Sequence, residues 1–152
     1  MAVQATCHSG AEERDGLEAL YTTVAKVEGG RQGRARVMGG PPFELVFPAE
    51  LGGLGGGTNP EQLLAVAYGA SFVSSLDLEA RQLRLELSKI EVISSVSLGH
   101  GDGGCYVLAI ELRVYLPELD LPTAERLLRA AEEACPYCRM GRGNIELRIM
   151  LV

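Results

Sequence analysis

From Leu63 to Leu76 the chain has no charged residue, and apolar or small side chains fall on every face of the helix this segment would make. Its start is well marked. Asn59 stands at an N-cap position, Pro60 suits the first helical position because it has no N–H to lose, and Gln62 sits where a capping box needs it. Charge resumes at Asp77, and Arg81 to Arg84 marks the exit. A helix that is apolar all round has to be covered all round. The uncharged run from Gln62 to Leu76 falls short of the ~18–20 residues that a membrane span needs, so the cover is protein. Gly69, Ala70, Ser71, Ser74 and Ser75 would let that protein approach closely.

The flanking segments supply part of the cover. Tyr21–Val27, Arg34–Met38 and Phe43–Phe47 read as short strands around two glycine-rich turns. Lys89–Leu98 and Val107–Leu116 alternate cleanly, and His100-Gly101-Asp102-Gly103-Gly104 forms a hairpin turn between them. Asp120–Cys135 repeats Ala124, Leu127, Leu128, Ala131 and Cys135 at helical spacing, and Pro136 is expected to end it. Asn144–Val152 alternates again. Strands gathered before and after one central helix predict an α+β fold, an antiparallel sheet wrapped around buried helices. A symmetric partner is the expected cover for whatever one sheet and a second helix leave bare.

At 152 residues and 47% hydrophobic, the chain suits one domain. We divide it into an arm over residues 1–19 and a domain over residues 20–152. The 14 basic and 20 acidic residues are spread without a dense Lys/Arg cluster, which gives nucleic acid no foothold. Met1–Gly16 has neither an apolar export segment nor a basic transit character, so a mobile arm and a cytoplasmic location are expected. In such a compartment Cys7, Cys105, Cys135 and Cys138 stay reduced. Leu51–Gly57 is glycine-rich but lacks the Gly-Lys-Ser/Thr ending of a phosphate loop, and reads as a connector.

Cys135-Pro136-Tyr137-Cys138 is the most reactive-looking segment, since a CxxC pair can act as attacking and resolving thiols. Its expected place at a helix C-terminus counts against it, because the dipole there opposes a thiolate. Zinc would need two more ligands, and Cys7, His8, His100 and Cys105 offer no second close pair. Taken singly, Arg31 reads as a solvated turn residue and Glu61 as a helix-dipole partner. Ser71 reads as a hydroxyl bonded back to its own helix.

The order of motifs alters those readings. Leu20-Tyr21-Thr22, Gly29-Gly30-Arg31, Glu50-Leu51-Gly52-Gly53, Thr58-Asn59-Pro60-Glu61-Gln62-Leu63, Cys135-Pro136-Tyr137 and Arg142-Gly143-Asn144-Ile145 follow one another as in the OsmC family, on its organic hydroperoxide resistance (Ohr) branch. The resemblance covers residues 20–152. It implies an intertwined homodimer with active sites at the interface. It also implies thiol-dependent reduction of organic or lipid hydroperoxides, with no bound cofactor and with recharging by a lipoyl-type dithiol. By that resemblance Arg31 matches the arginine that stabilises the attacking thiolate, Glu61 the glutamate that orients it, and Cys135 the resolving cysteine. Ser71 stands where the branch has its attacking cysteine, and Cys138 where it usually has serine.

A serine hydroxyl is far less acidic than a thiol and has no sulfenic state, so Ser71 cannot perform the peroxide step. Three readings stay open. Ser71 replaces a native cysteine in a peroxidase; or it is native and Cys135/Cys138 form the remaining redox pair; or the chain is a non-enzymatic binder of lipid-like or peroxide ligands. On one straight helix Glu61 and residue 71 are ~15 Å apart along the axis. One site served by both therefore needs a broken helix or two chains.

Overall fold

A computed structural model describes residues 18–152; the arm expected up to Gly16, with Cys7 and His8, lies outside the described residues. The uncharged segment forms the long helix α1 (Pro60–Gln82). Asn59 Oδ1 accepts from the Gln62 N–H at 2.9 Å, and Gln62 Oε1 accepts from the Asn59 N–H at 3.0 Å. This is the capping box the sequence predicts, and it satisfies two amide donors that a helix start leaves without partners. The exit also falls where expected: Leu83 is the C-cap, and Arg84 follows with φ 56°.

Two three-stranded sheets accompany the helix. The first comprises β1 (Ala25–Glu28), β2 (Arg34–Val37) and β3 (Pro42–Glu44), all antiparallel. The second comprises β4 (Glu91–His100), β5 (Tyr106–Tyr115) and β6 (Glu146–Leu151). β4 and β5 form a hairpin in register from Glu91↔Tyr115 to His100↔Tyr106. β6 pairs parallel to β5, from Ala109↔Glu146 to Val114↔Leu151, which corrects the expectation of a wholly antiparallel sheet. The reason is the crossover: helices α2 (Leu121–Ala134) and α3 (Pro136–Gly141) carry the chain back before β6 starts.

The core lies where α1 meets α2, α3 and the second sheet. Tyr68, Phe72, Leu76 and Ala80 recur every fourth residue on α1, so they form one buried stripe. Ala124, Leu127 and Ala131 of α2 and Ile110, Leu112 and Val114 of β5 close around it. On another face Gly69 brings the helix against β4. A Cβ there would lie 3.2 Å from the Ser94 Cβ, a tight contact that a side chain could make only if the neighbour gave way slightly.

Cover is incomplete within one chain. Val66 is 70% exposed, and Leu63, Leu78, Val24 and Val27 are exposed as well. By length and composition α1 is long and apolar enough to cross a membrane, yet its packing on α2, α3 and β4 makes it the central helix of the core. The chain alone thus buries one side of the segment that the sequence predicts to be covered on all sides.

The cap is testable. Asn59→Ala should lower stability by about 1 kcal/mol and the melting midpoint by about 2–4 °C, read by circular dichroism. Asn59→Asp, which keeps the acceptor, should melt close to the parent.

Candidate active site

Arg31 sits in a short 3-10 turn, Gly30–Gln32, between β1 and β2. Gly33 closes that turn, and a Cβ there would collide with the Glu28 carbonyl oxygen. The turn therefore fixes the arginine's direction. Its guanidinium grips Glu61 with two bonds, Nη1 to Oε2 at 2.7 Å and Nη2 to Oε1 at 2.6 Å. Paired forks of this kind are stronger and more directional than a single contact. Glu61 lies in the first turn of α1, where the helix N-terminus also favours its negative charge. The arginine's hydrogen bonds hold the Glu61 carboxyl below its usual range, against a smaller upward push from burial. The carboxylate raises the guanidinium's pKa in return. A cleft of about 350 Å³ opens beside the pair, lined by Arg31, Phe47, Leu51, Leu98, His100 and Tyr106.

Ser71 belongs to a different place in the same chain. α1 is unbroken from Pro60 to Gln82, so ten positions separate Glu61 from Ser71 by about 15 Å along the axis. Taken singly, Ser71 reads as bonded to its own backbone, whereas the family resemblance pairs position 71 with Cys135. Ser74 and Ser75 do bond back that way, to the Ala70 and Ser71 carbonyls at 2.9 and 3.0 Å. Ser71 instead meets Cys135, with Oγ 3.6 Å from Sγ. The five residues singled out thus form two groups, Arg31 with Glu61 and Ser71 with Cys135 and Cys138.

Cys135 corrects the sequence reading of the dipole. Pro136 does not only stop α2; it occupies the first position of α3, where its missing N–H costs nothing. Cys135 is therefore the C-cap of α2 and the N-cap of α3 at once. Its sulfur accepts from the Cys138 N–H at 3.5 Å, so backbone donors point at it rather than carbonyls. Both cysteines are buried, Cys135 at 0% and Cys138 at 2% exposure, and neither is in a disulfide.

Burial alone would raise the Cys135 pKa. The Cys138 N–H, the Ser71 hydroxyl, the Cys138 thiol and the Tyr137 N–H together outweigh it, and the pKa falls below its ordinary value. Cys138 moves the opposite way, raised by burial, by its bond to Cys135 and by that neighbour's charge. The pair is divided into a thiolate-prone sulfur and one that keeps its proton. Among the described residues no group of three or more His, Cys, Asp or Glu is placed to hold a metal. Cys105 is exposed and stands apart, at the start of β5.

Sequence reasoning missed Tyr68. It is fully buried, its hydroxyl donates to the Tyr137 carbonyl at 2.7 Å, and its ring meets the Tyr137 ring edge-on with centroids 5.4 Å apart. The signal was present: a tyrosine in an otherwise apolar helix carries a hydroxyl that needs a partner when buried.

Comparison with known proteins agrees with this architecture. A family model described as OsmC-like protein matches residues 53–150. The organic hydroperoxide resistance protein of Xanthomonas axonopodis pv. citri is 40% identical over 136 residues, covering 87% of this chain and 94% of that protein. Organic hydroperoxide resistance protein OhrB of Bacillus subtilis is 36% identical over 135 residues, covering 88% and 98%. The crystal structure of OhrB superposes with a TM-score of 0.81 at 35% identity, over 88% of this chain and 100% of that one. An organic hydroperoxide resistance protein OsmC from Legionella pneumophila gives a TM-score of 0.84 at 38% identity, covering 88% and 98%.

The sulfur environment predicts a pH profile. A lowered pKa means that Cys135 becomes thiolate, and alkylates, at a lower pH than a free cysteine at about 8.5. Ser71→Ala removes one donor to the sulfur, so the midpoint for alkylation of the Cys135 peptide should move up. An unchanged midpoint, read by mass spectrometry across a pH series, would show that the hydroxyl does not stabilise the thiolate.

Proposed function

Because the chain belongs to the OsmC-like protein family and its organic hydroperoxide resistance branch, we propose that it reduces organic hydroperoxides with Cys135 as the attacking sulfur and Cys138 as the resolving one. The observation that carries this reading is the contact of Ser71 Oγ with Cys135 Sγ at 3.6 Å. The hydroxyl at position 71 hydrogen-bonds a sulfur whose surroundings favour a thiolate. By the family resemblance Cys135 resolves a sulfenic acid formed at position 71; with serine there, the attack passes to Cys135 itself.

The steps balance. The Cys135 thiolate attacks the outer peroxide oxygen, the O–O bond breaks, and the alcohol leaves after taking a proton, with sulfenic acid on Cys135. The Cys138 thiol then displaces hydroxide from that sulfur, forming the Cys135–Cys138 disulfide and, with the thiol proton, water. A lipoyl-type dithiol returns both cysteines to thiols and becomes a disulfide itself. A reducing, cytoplasmic setting is part of this proposal, since both thiols have to start reduced. The apolar side chains around Cys135 suit an oily peroxide, as the cluster includes Tyr68, Phe72 and Leu127.

The Arg31–Glu61 pair enters through a second copy of the chain. An unbroken α1 separates the pair from Ser71 within one subunit, and the exposed Leu63, Val66, Val24 and Val27 give a partner apolar surface to cover. In this arrangement the partner's arginine faces the developing alkoxide and its glutamate keeps the arginine oriented. A second reading, a non-enzymatic holder of lipid-like ligands, draws on the apolar cleft beside Arg31. It predicts binding of a fatty hydroperoxide without thiol loss.

Peptide mass spectrometry after cumene hydroperoxide treatment tests the proposal. The peptide carrying Cys135 and Cys138 should lose two hydrogens, and Cys138→Ser should stop at an oxidised Cys135 that dimedone traps. Cys135 and Cys138 both remaining reduced would refute it. The two-chain site has its own test. Co-expressing Arg31→Ala with Cys135→Ser should restore about a quarter of parent activity, because half the dimers are mixed and each has one complete site. No recovery in isolated mixed dimers would confine the site to one subunit.

A further inference from the structure

Tyr68 carries a buried hydroxyl that the proposed chemical steps do not use, and its contacts lie on the reactive loop. It is at 0% exposure, and its hydroxyl donates 2.7 Å to the carbonyl of Tyr137, the residue before Cys138. Its ring packs edge-on against the Tyr137 ring at an interplanar angle of 71°. From the far side, Gly141 at the end of α3 leaves no room: a Cβ there would sit 2.7 Å from the Tyr68 hydroxyl. One tyrosine on the rigid central helix therefore touches α3 at its second residue and at its last.

We propose that Tyr68 is a positioning residue that clamps the first turn of α3 and so sets the dithiol–disulfide equilibrium of Cys135 and Cys138. The inference rests on the proposed use of that pair. The Cys138 N–H already points at the Cys135 sulfur at 3.5 Å, an N-cap-to-third-residue relation that puts both side chains on one side of the turn. α3 has only six residues, too few to hold its shape unaided. Anchoring Tyr137 to α1 prevents the turn from fraying and keeps the sulfurs within reach. Without the anchor, the chance that Cys138 lies against Cys135 falls, and closure of the disulfide becomes less favourable by the same factor. The hydroxyl stays protonated and able to donate throughout a neutral assay, since burial raises its pKa to about 12.

The test is an equilibrium that does not involve peroxide. Reduced protein is incubated with lipoamide and dihydrolipoamide at set ratios, and the fraction of Cys135–Cys138 disulfide is read by alkylation and mass. Two protons and two electrons pass from the cysteines to lipoamide, so the ratio at half-conversion gives the equilibrium constant. Tyr68→Phe keeps the ring and removes only the hydroxyl. It should shift the midpoint about fivefold to tenfold toward the dithiol, the size of one buried neutral hydrogen bond. Gly141→Ala, which displaces the hydroxyl while leaving it in the chain, should shift it the same way. Melting curves identify any variant that fails to fold. A Tyr68→Phe midpoint within twofold of the parent would overturn the role of Tyr68 while leaving the dithiol reaction standing. A parent that never forms the disulfide with lipoamide would overturn both. Normal exchange with lipoamide but no reaction with hydroperoxide would remove the peroxide reading and leave Tyr68 where the midpoints put it.

Discussion

The continuity of α1 constrains everything else in this molecule. Twenty-three residues run without a break from a doubly bonded cap at Asn59 to Gln82. Glu61 at one end anchors Arg31, and Ser71 near the middle meets Cys135. Because the helix is straight and its rise is fixed, these two contacts cannot merge within one subunit. The same helix leaves Val66 and Leu63 exposed. In our proposal a second copy of the chain answers both the separation and the exposure.

The second consequence concerns sulfur. A cysteine in an apolar core is ordinarily inert, because burial disfavours its thiolate. Cys135 escapes this through local backbone geometry. The chain ends one helix and begins another at that residue, turning N–H groups toward the sulfur, and α1 contributes a hydroxyl from the other side. Cys138, three residues on, is equally buried but lacks such donors, and its pKa rises instead. Helix punctuation and the Ser71 hydroxyl lower the Cys135 pKa, while burial and the charge on Cys135 raise that of Cys138, which gives the asymmetry that the proposed dithiol reaction uses.

Much of this was legible in the sequence. Asn59, Pro60 and Gln62 announce the start of α1 through chemistry confined to four residues, and strand alternation locates β4 and β5. Motif order gave the family. The errors share a cause. The parallel β6 depends on which way two helices carry the chain, which residue periodicity does not encode. Pro136 ends α2 as the sequence predicts, but that it also opens α3 depends on six residues whose helical pattern is too short to register as periodicity. Taken singly, Ser71 reads as bonded to its own backbone, because its partner lies 64 positions away and only the motif order connects the two.

The central claim is that peroxide chemistry resides on Cys135 although position 71 holds a serine. A single-turnover experiment reaches it most directly: fully reduced protein is mixed with one equivalent of cumene hydroperoxide, with no dithiol present, and the alcohol formed is counted against the thiols lost. The account predicts about one alcohol per chain, with Cys135 and Cys138 consumed and Cys105 still free. No alcohol, with Cys135 still titrating as a thiol, would contradict it.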